Sequence, residues 1–417
     1  MSEGVIIIGA GLAGLCCGIA LHKAGVPFVI LEAADAVGGR IRTDRHDGFI
    51  LDRGFQIFLS AYPEARSLLN YESLDLQSFY PGAVVRSGGK FHMVADPARE
   101  PFAAIQSLCA PVGTLADKLL VADLRRKLLS ASGPADPLAG GRTVVALKER
   151  GFSDMMISKF FRPFLGGIFL DQNLETSAGM FEFVFEMLAR GDNTLPAQGM
   201  QAIPEQLARL LPAKSIRLNS SVISIDRNKV TLASGERLRG FAVVIATDEL
   251  YCQKLLGEKP SARFKSQTCV YFSAPEAPFT GPLLVLNGEG HGSVLNLTVP
   301  SNVAKSYAPP GTALISAVIA GDPSLTNQAL EESIRSQMTD WYGQQVSKWK
   351  HLRTYRIKYA LPDQSPEALA VRQNSYKQMG SLYFCGDYKE GATINGAMVS
   401  GRKAAESVLQ DLKLSIA

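Results

Sequence analysis

A short apolar run that ends directly in Gly9-Ala10-Gly11-Leu12-Ala13-Gly14 constrains this chain more than any other feature. Val5-Ile6-Ile7-Ile8 has the unbroken hydrophobicity of a strand buried on both faces. Leu12, Leu15, Ile19 and Leu21 come next at near-helical spacing, and Lys23 and Gly25 close that helix. Phe28-Val29-Ile30-Leu31 is a second buried strand, and two parallel strands joined through a helix must cross over right-handed. Each glycine has a task in such a unit. Gly9 permits the tight turn, Gly11 lets a pyrophosphate reach the backbone, and Gly14 lets the helix lie close on the sheet. The helix start offers unpaired N–H groups and a positive dipole end to phosphate. Glu32 ends the second strand, where a carboxylate accepts from ribose hydroxyls and repels a 2′-phosphate. The motif is weak by itself, but here strand, helix, second strand and terminal acid all stand in their places.

The remainder of the 417 residues asks for more than one core. Residues 60–210 contain many helical patterns. The small-residue, Pro/Gly-rich stretch 130–142 is expected to be a mobile loop. Residues 216–246 return to short β-branched strands with a hairpin signal at Ser234-Gly235, and Val243-Val244-Ile245-Ala246 reads as another buried strand. Residues 268–320 are strand-rich and 327–343 helical. The C-terminus reads as a strand at Leu382–Cys385, a loop from Gly386 to Gly391 and a closing amphipathic helix. The expected architecture is α/β. A Rossmann-like domain, a parallel sheet with helices and a β-meander, is drawn from 1–60, 200–262 and 376–417. An α+β substrate domain is inserted as 61–199 and 263–375.

A net charge of +4 without a Lys/Arg run makes nucleic acid a poor partner. No stretch reaches 18 uninterrupted apolar residues, so no spanning helix is expected. Met1-Ser2-Glu3-Gly4 does not begin a secretory leader. The six cysteines, at 16, 17, 109, 252, 269 and 385, form no CxxC pair and fit free thiols in a reducing compartment. The expected location is cytoplasmic, with an anionic membrane surface as the alternative. The histidines at 22, 46, 92, 291 and 351 show no metal-ligand spacing, and no metal is expected.

Six residues after Glu32 comes Gly38-Gly39-Arg40-Ile41-Arg42-Thr43. A second Gly pair brings the chain close to the pyrophosphate, and a forked guanidinium can neutralise it. A nicotinamide cofactor that leaves every cycle has no need of this clamp; a tightly held flavin does. From Gly9 to Glu32 and on through Gly-Gly-Arg-Ile-x-Thr, the sequence resembles the flavin-containing amine oxidase superfamily: monoamine and polyamine oxidases, protoporphyrinogen oxidases and phytoene desaturases. Leu382-Tyr-Phe-Cys-Gly-Asp387, Thr393-Ile-Asn-Gly-Ala397 and Ser400-Gly-Arg-Lys-Ala-Ala405 are similar to that group's second flavin motif. Weaker echoes occur at Leu195–Met200 and Ala360–Gln364.

The resemblance implies non-covalent FAD. Gly9, Gly11, Leu12, Ala13 and Gly14 would line the pyrophosphate, and Glu32 and Ala33 would lie at the adenosine ribose. Gly38, Gly39, Arg40 and Thr43 would line the pyrophosphate and ribityl chain, and the Val222 backbone would pair with adenine. Gly386 and Asp387 would lie near the ribityl or pyrophosphate. Ile394, Asn395 and Ala397 would begin a helix whose N–H groups face the flavin pyrimidine oxygen, where a positive dipole end also stabilises negative charge on a reduced flavin. Gly54, Phe55 and Gln56 would approach the isoalloxazine ring. No catalytic residue stands out; Lys358, Tyr359 and Gln56 are the weak candidates. Cys16 and Cys17 read as small core hydrophobes. The cluster Phe152, Phe160, Phe161, Phe164, Phe169, Phe181, Phe183 and Phe185 is domain core on one reading and the wall of an apolar pocket on the other. The expected function is two-electron oxidation or desaturation of a hydrophobic small molecule, with oxygen, a quinone or another acceptor taking the electrons. An amine oxidase, a reduced-FAD polyene isomerase and a non-catalytic flavin-binding protein are the alternatives.

Overall fold

The computed structural model describes residues 4–102, 107, 110–372, 375–377 and 380–416; Cys109 lies outside them. Its first layer is a parallel sheet of five strands in the order Ile216–Arg217, Phe28–Leu31, Val5–Ile8, Ala242–Ile245, Leu382–Phe384. Alternation along the central strand feeds two cores. Val5 and Ile7 pack into the large core shared with the first helix, Leu12–Lys23. Ile6 and Ile8 pack with Val222, Val230 and Leu232 of an antiparallel meander, Val222–Asp226, Lys229–Leu232 and Arg237–Arg239. Gly235, with φ +86°, makes the turn between the last two meander strands.

The first and last helices, Leu12–Lys23 and Ile394–Ile416, lie against each other. Gly401 permits this, since a Cβ there would overlap the Ala13 carbonyl of the facing helix; a Cβ on Gly14 would instead overlap the Gly9 carbonyl oxygen, so Gly14 serves the packing of the first helix on its own turn and sheet. Asn395 and Arg402 of the last helix hold a further helix, Pro63–Leu68: the Glu64 N–H donates to Asn395 Oδ1 at 3.0 Å, and Arg402 Nε to Glu64 Oε1 at 2.8 Å.

The second layer is a seven-stranded sheet in the order Lys350–Pro362, Phe264–Ala274, Ala313–Ala320, Asn296–Thr298, Leu284–Asn287, Gly82–Ser87, Lys90–Ala95. Its outer face packs on the helix Asn327–Tyr342 through Val270, Phe272, Ile315, Leu330 and Ile334. Its inner face belongs to the large core through Cys269, Tyr271, Leu314 and Val318. The last two strands lie among the helical patterns of 60–210. Gly88 and Gly89, at φ +61° and +73°, supply the two left-handed positions of a tight hairpin. The edge strand Lys350–Pro362 carries a bulge: Gln267 pairs with Ile357 but Lys265 with Leu361.

The stretch 130–142 is a loop fastened at several points. Ser177 Oγ donates to the Pro137 carbonyl at 2.7 Å, and the Ala178 and Gly179 N–H groups to Gly141 and Ala139. Within the expected loop 386–391, Asp387–Glu390 forms one helical turn. Ile157–Phe161 is a π-helical turn leading into the helix Arg162–Phe169.

The glycine contact between first and last helices is directly testable. Gly401→Val should cost roughly 1–3 kcal/mol by overpacking, read as a lower urea midpoint with an unchanged m-value.

Candidate active site

The loops at the carboxyl ends of the parallel strands converge on the start of the first helix. Gly11 caps that helix in extended conformation (φ −71°), and no side chain caps it. Nothing in the protein lies within 4 Å of where a Gly11 Cβ would project, and Gly39, at φ +59°, places its own virtual Cβ 3.4 Å from the Gly11 Cα. Two glycine backbones therefore face an open space at a helix N-terminus. The Gly38 N–H donates to the Ala10 carbonyl at 2.9 Å, which fixes the second glycine loop on the first. This cradle fits a pyrophosphate, because a backbone without side chains is what lets phosphate oxygens reach the N–H groups. Leu12 and Ala13 are buried and contribute backbone only.

Glu32 is buried and accepts from the Ala10 N–H at 2.7 Å and the Ala34 N–H at 2.8 Å. These bonds orient the carboxylate and use two of its roughly four lone-pair sites, leaving capacity for ribose hydroxyls. Ala33 beside it is exposed. The Ser220 N–H donates to the Glu32 carbonyl at 2.7 Å, which brings the start of the meander alongside. The Val222 carbonyl there already accepts from the Tyr251 hydroxyl at 2.8 Å, so one of its two lone pairs remains for a base.

Arg40 stands where the second glycine loop meets the C-terminal motif, but its fork is turned to protein. Nη2 meets Asp387 Oδ1 at 2.7 Å and Nη1 the Ala360 carbonyl at 2.8 Å. This refines the expectation that Arg40 neutralises the pyrophosphate with both arms. Burial disfavours the guanidinium cation, yet Asp387, aided by Asp248, holds its pKa above the ordinary value. The β-bulge at 358–360 supplies the geometry, since a bulge releases a carbonyl from the ladder. Gly386 donates its N–H to Ser400 Oγ at 3.0 Å, which joins the strand end to the last helix. At that helix start Thr393 Oγ1 accepts from the Gly396 N–H, and among the described residues no protein acceptor meets the Ile394 and Asn395 N–H groups. Ala397 donates to the Thr393 carbonyl, and the Asn395 side chain points away to Glu64.

Several expected residues have other employment. Thr43 Oγ1 donates to buried Asp52 Oδ1 at 2.5 Å and accepts from the Gln201 N–H at 3.0 Å, so its hydroxyl serves a joint between segments. Asp52 also accepts from the Met200 N–H and the Tyr307 hydroxyl; burial pushes its carboxyl above the usual range, against the pull of these bonds. Lys358 and Tyr359 are exposed on the bulged strand, with the ammonium over the Tyr359 ring at 5.4 Å. Gln56 donates through Nε2 to the Arg40 carbonyl at 3.2 Å and leaves Oε1 buried without a partner. Gly54, at φ +90°, exists because a Cβ would overlap Ile357 and come within 2.6 Å of Gln267 Oε1. Phe55 packs edge-on against Phe79.

Lys265 was not foreseen. With Thr176, Gln364 and Ala392 it lines a cavity of about 10 Å³ beside the start of the last helix, near the least a single water needs. Its ammonium stands 3.7 Å from Asp171 Oδ1. No motif marks it, because its position is set by sheet register. Cys16, Cys17, Cys252, Cys269 and Cys385 are buried, and burial raises each thiol above its ordinary pKa, so none is a ready nucleophile. Among the described residues no cluster of His, Cys, Asp or Glu could hold a metal ion.

Fold and cradle together define a dinucleotide-binding flavoprotein of the α/β class. The model of the flavin-containing amine oxidoreductase family matches residues 12–409, and the chain belongs to that family. FAD is the cofactor of this family, and the cradle fits it. The chain is 24% identical to protoporphyrinogen oxidase 2 of Arabidopsis thaliana over 263 residues, 54% of this chain and half of that protein's length. It is 23% identical to the 15-cis-phytoene desaturase of Solanum lycopersicum, across 99% of this chain and 78% of the relative. An oxidoreductase from Methanosarcina mazei shares the fold with a TM-score of 0.74 at 18% identity, covering 97% and 99% of the two chains.

Gly11 separates ligand space from folding. Its dihedrals suit any residue and its Cβ direction is empty of protein, so Gly11→Val should cost the apoprotein no more than about 1 kcal/mol, the loss of a favoured N-cap residue. It should weaken FAD about 100-fold, near 2.7 kcal/mol, read by flavin fluorescence titration of both apoproteins. Arg40→Lys should lower the holoprotein melting temperature, because one ammonium cannot span Asp387 and Ala360 as the fork does.

Proposed function

We propose that this chain is an FAD-dependent oxidoreductase that takes two electrons, as a hydride to the flavin, from a mainly hydrophobic small molecule, acting as an oxidase or a desaturase. The observation that carries the reading is the cradle of Gly11, Gly39 and Glu32 joined through Arg40 to the C-terminal motif. In this reading Gly9, Gly11, Gly14, Gly38 and Gly39 approach the pyrophosphate, Glu32 the ribose, Val222 the adenine, and the start of the last helix the flavin. The five-stranded sheet and meander then hold the cofactor, and the seven-stranded sheet with the helices of 143–190 holds the substrate. When bound, FAD supplies the hydride acceptor. The protein supplies orientation, water exclusion and a positive helix end where charge accumulates.

The aromatic cluster supports an apolar substrate in part. Phe161 and Phe181 are fully buried, Phe152, Phe169 and Phe183 nearly so, and these are core. Phe160 and Phe164 are partly buried, stacked at 5.4 Å, and pack with Phe55 over Val85 and Leu286. They are raised by the π turn, a feature often placed at functional sites. Oxygen, a quinone or another small acceptor would reoxidise the flavin. Among the described residues no helix is long and apolar enough to cross a membrane. A membrane surface as the source of substrate is part of this proposal, and the exposed Leu115 and Leu119 on one helix support it.

Lys265 favours a second reading, an amine oxidase, since a lysine and a water-sized cavity lie beside the last helix. Anaerobic titration of the purified yellow protein decides between them. Bleaching by a porphyrinogen or a polyene, with primary and secondary amines inert, is the expected result. Bleaching by amines alone selects the second reading.

A further inference from the structure

Sheet register places an unusual set of side chains on the inner face of the seven-stranded sheet. Tyr355, Cys269, Val318, Asn296, Leu286 and Val85 are successive cross-strand partners. Directly paired residues share a face, so all six look inward. Gln267, two residues before Cys269, looks the same way. Val85 and Leu286 form the apolar floor beneath Phe55, Phe160 and Phe164. Asn296 borders that floor.

Two side-chain amides here have a buried atom with no partner among the described residues, and a third amide, Gln267, lies against Gly54. Asn296 is 4% exposed and its Oδ1 is buried without a partner. Gln56 Oε1 is likewise buried and unpartnered, while its Nε2 bond to the Arg40 carbonyl fixes which end is oxygen. Gln267 is 6% exposed, lies against Gly54, and among the described residues nothing hydrogen-bonds its amide. Buried polar atoms are nearly always paired, and exceptions need an explanation such as a ligand. The Gln56 orphan is thereby an acceptor oxygen, so its missing partner is a donor, and the Asn296 amide can turn its oxygen to the same donor. The neighbouring carboxylates are already engaged. Asp52 is bonded to Thr43, Met200 and Tyr307, and Asp171 to the backbone of Asn173, Glu175 and Thr176. Asp44 holds Tyr355 and Arg53. A buried ammonium would find neutral amides there and no uncommitted anion among these three, a costly environment for a charge.

We propose that Gln56, Gln267 and Asn296 are the polar lining of the substrate chamber, and that the substrate is an apolar skeleton carrying an uncharged N–H or O–H donor, neither a pure hydrocarbon nor an ammonium. The proposal rests on the FAD-oxidoreductase reading above and narrows its substrate class. Indole, indene and 2-aminoindane test it: similar in size and shape, they present a neutral N–H, no donor and an ammonium. Each is titrated anaerobically into the FAD-loaded protein and monitored by the perturbation of the flavin spectrum. Indole is expected to bind about tenfold tighter than indene, the equivalent of one hydrogen bond, and tighter than 2-aminoindane. Gln267→Met, which keeps the shape, should bring indole down to the level of indene and leave indene unchanged. Asn296→Ala should do the same, and keeps the test open if either variant folds poorly. In a yellow protein, equal binding of indole and indene, preference for 2-aminoindane, binding of none of the three, or a ratio unmoved by both variants overturns the proposal and spares the flavin assignment. A protein that stays colourless with added FAD overturns both.

Discussion

The ion pair between Arg40 and Asp387 is the constraint on which the site depends. It joins a loop near the N-terminus to one near the C-terminus at 2.7 Å, and the other arm of the same guanidinium holds Ala360 of the second sheet. Asp387 is almost fully buried and Arg40 about one-third exposed. The pair therefore lies between a surface bridge of small worth and a buried one whose breaking strands a charge. Its geometric consequence exceeds its energy. Without it the glycine loop at 38–39 would keep its bond to Ala10 and the last helix its contact with the first, but the bulged strand would lose its tie to both. With it, the elements around the cradle share one anchor.

Local chemistry was readable in the sequence because it is local. The turn at Gly9–Gly14 needs the small residues it has, and the flanking apolar runs state their own burial. The same holds for the last strand and helix. The hairpin at 82–95 has a local signal in Gly88-Gly89, whose positive φ angles make its turn. The contacts of Thr43 are of a different kind: its hydroxyl meets Asp52, 9 positions away, and Gln201, 158 positions away, and no spacing rule encodes such contacts. Lys265 and Gln267 belong here too: which face they occupy is set by register and a bulge, neither visible before the strands pair.

The aromatic cluster shows how one sequence feature divides on folding. Most of its rings interlock edge-on, as at Phe152–Phe161 and Phe161–Phe181, and make core. The extra residue in the π turn at Ile157–Phe161 changes the direction of the helix Arg162–Phe169, and Phe160 and Phe164 lie toward the sheet floor. Gly167, with no side chain, lets that helix approach Asn296. Core and chamber wall are thus built from consecutive residues, and hydrophobicity alone could not have divided them.

Charge is handled at the helix ends, which leaves the chamber free to be neutral. The start of the first helix faces the glycine cradle, and the start of the last helix presents unpaired N–H groups where Ala392 and Lys265 meet. Fixed dipoles of this kind accommodate phosphate and developing negative charge without a mobile counter-ion. The carboxylates nearest the inner sheet face are committed to hydroxyl and N–H donors, and Asp52 is held above its ordinary pKa by burial. The proposed binding surface of amides and aromatic rings, flanked by spent carboxylates, would discriminate by hydrogen-bond pattern. Its selectivity should therefore be set by leaving the wrong ligand's donors or the protein's acceptors unpaired, a penalty larger than the net gain of a matched bond.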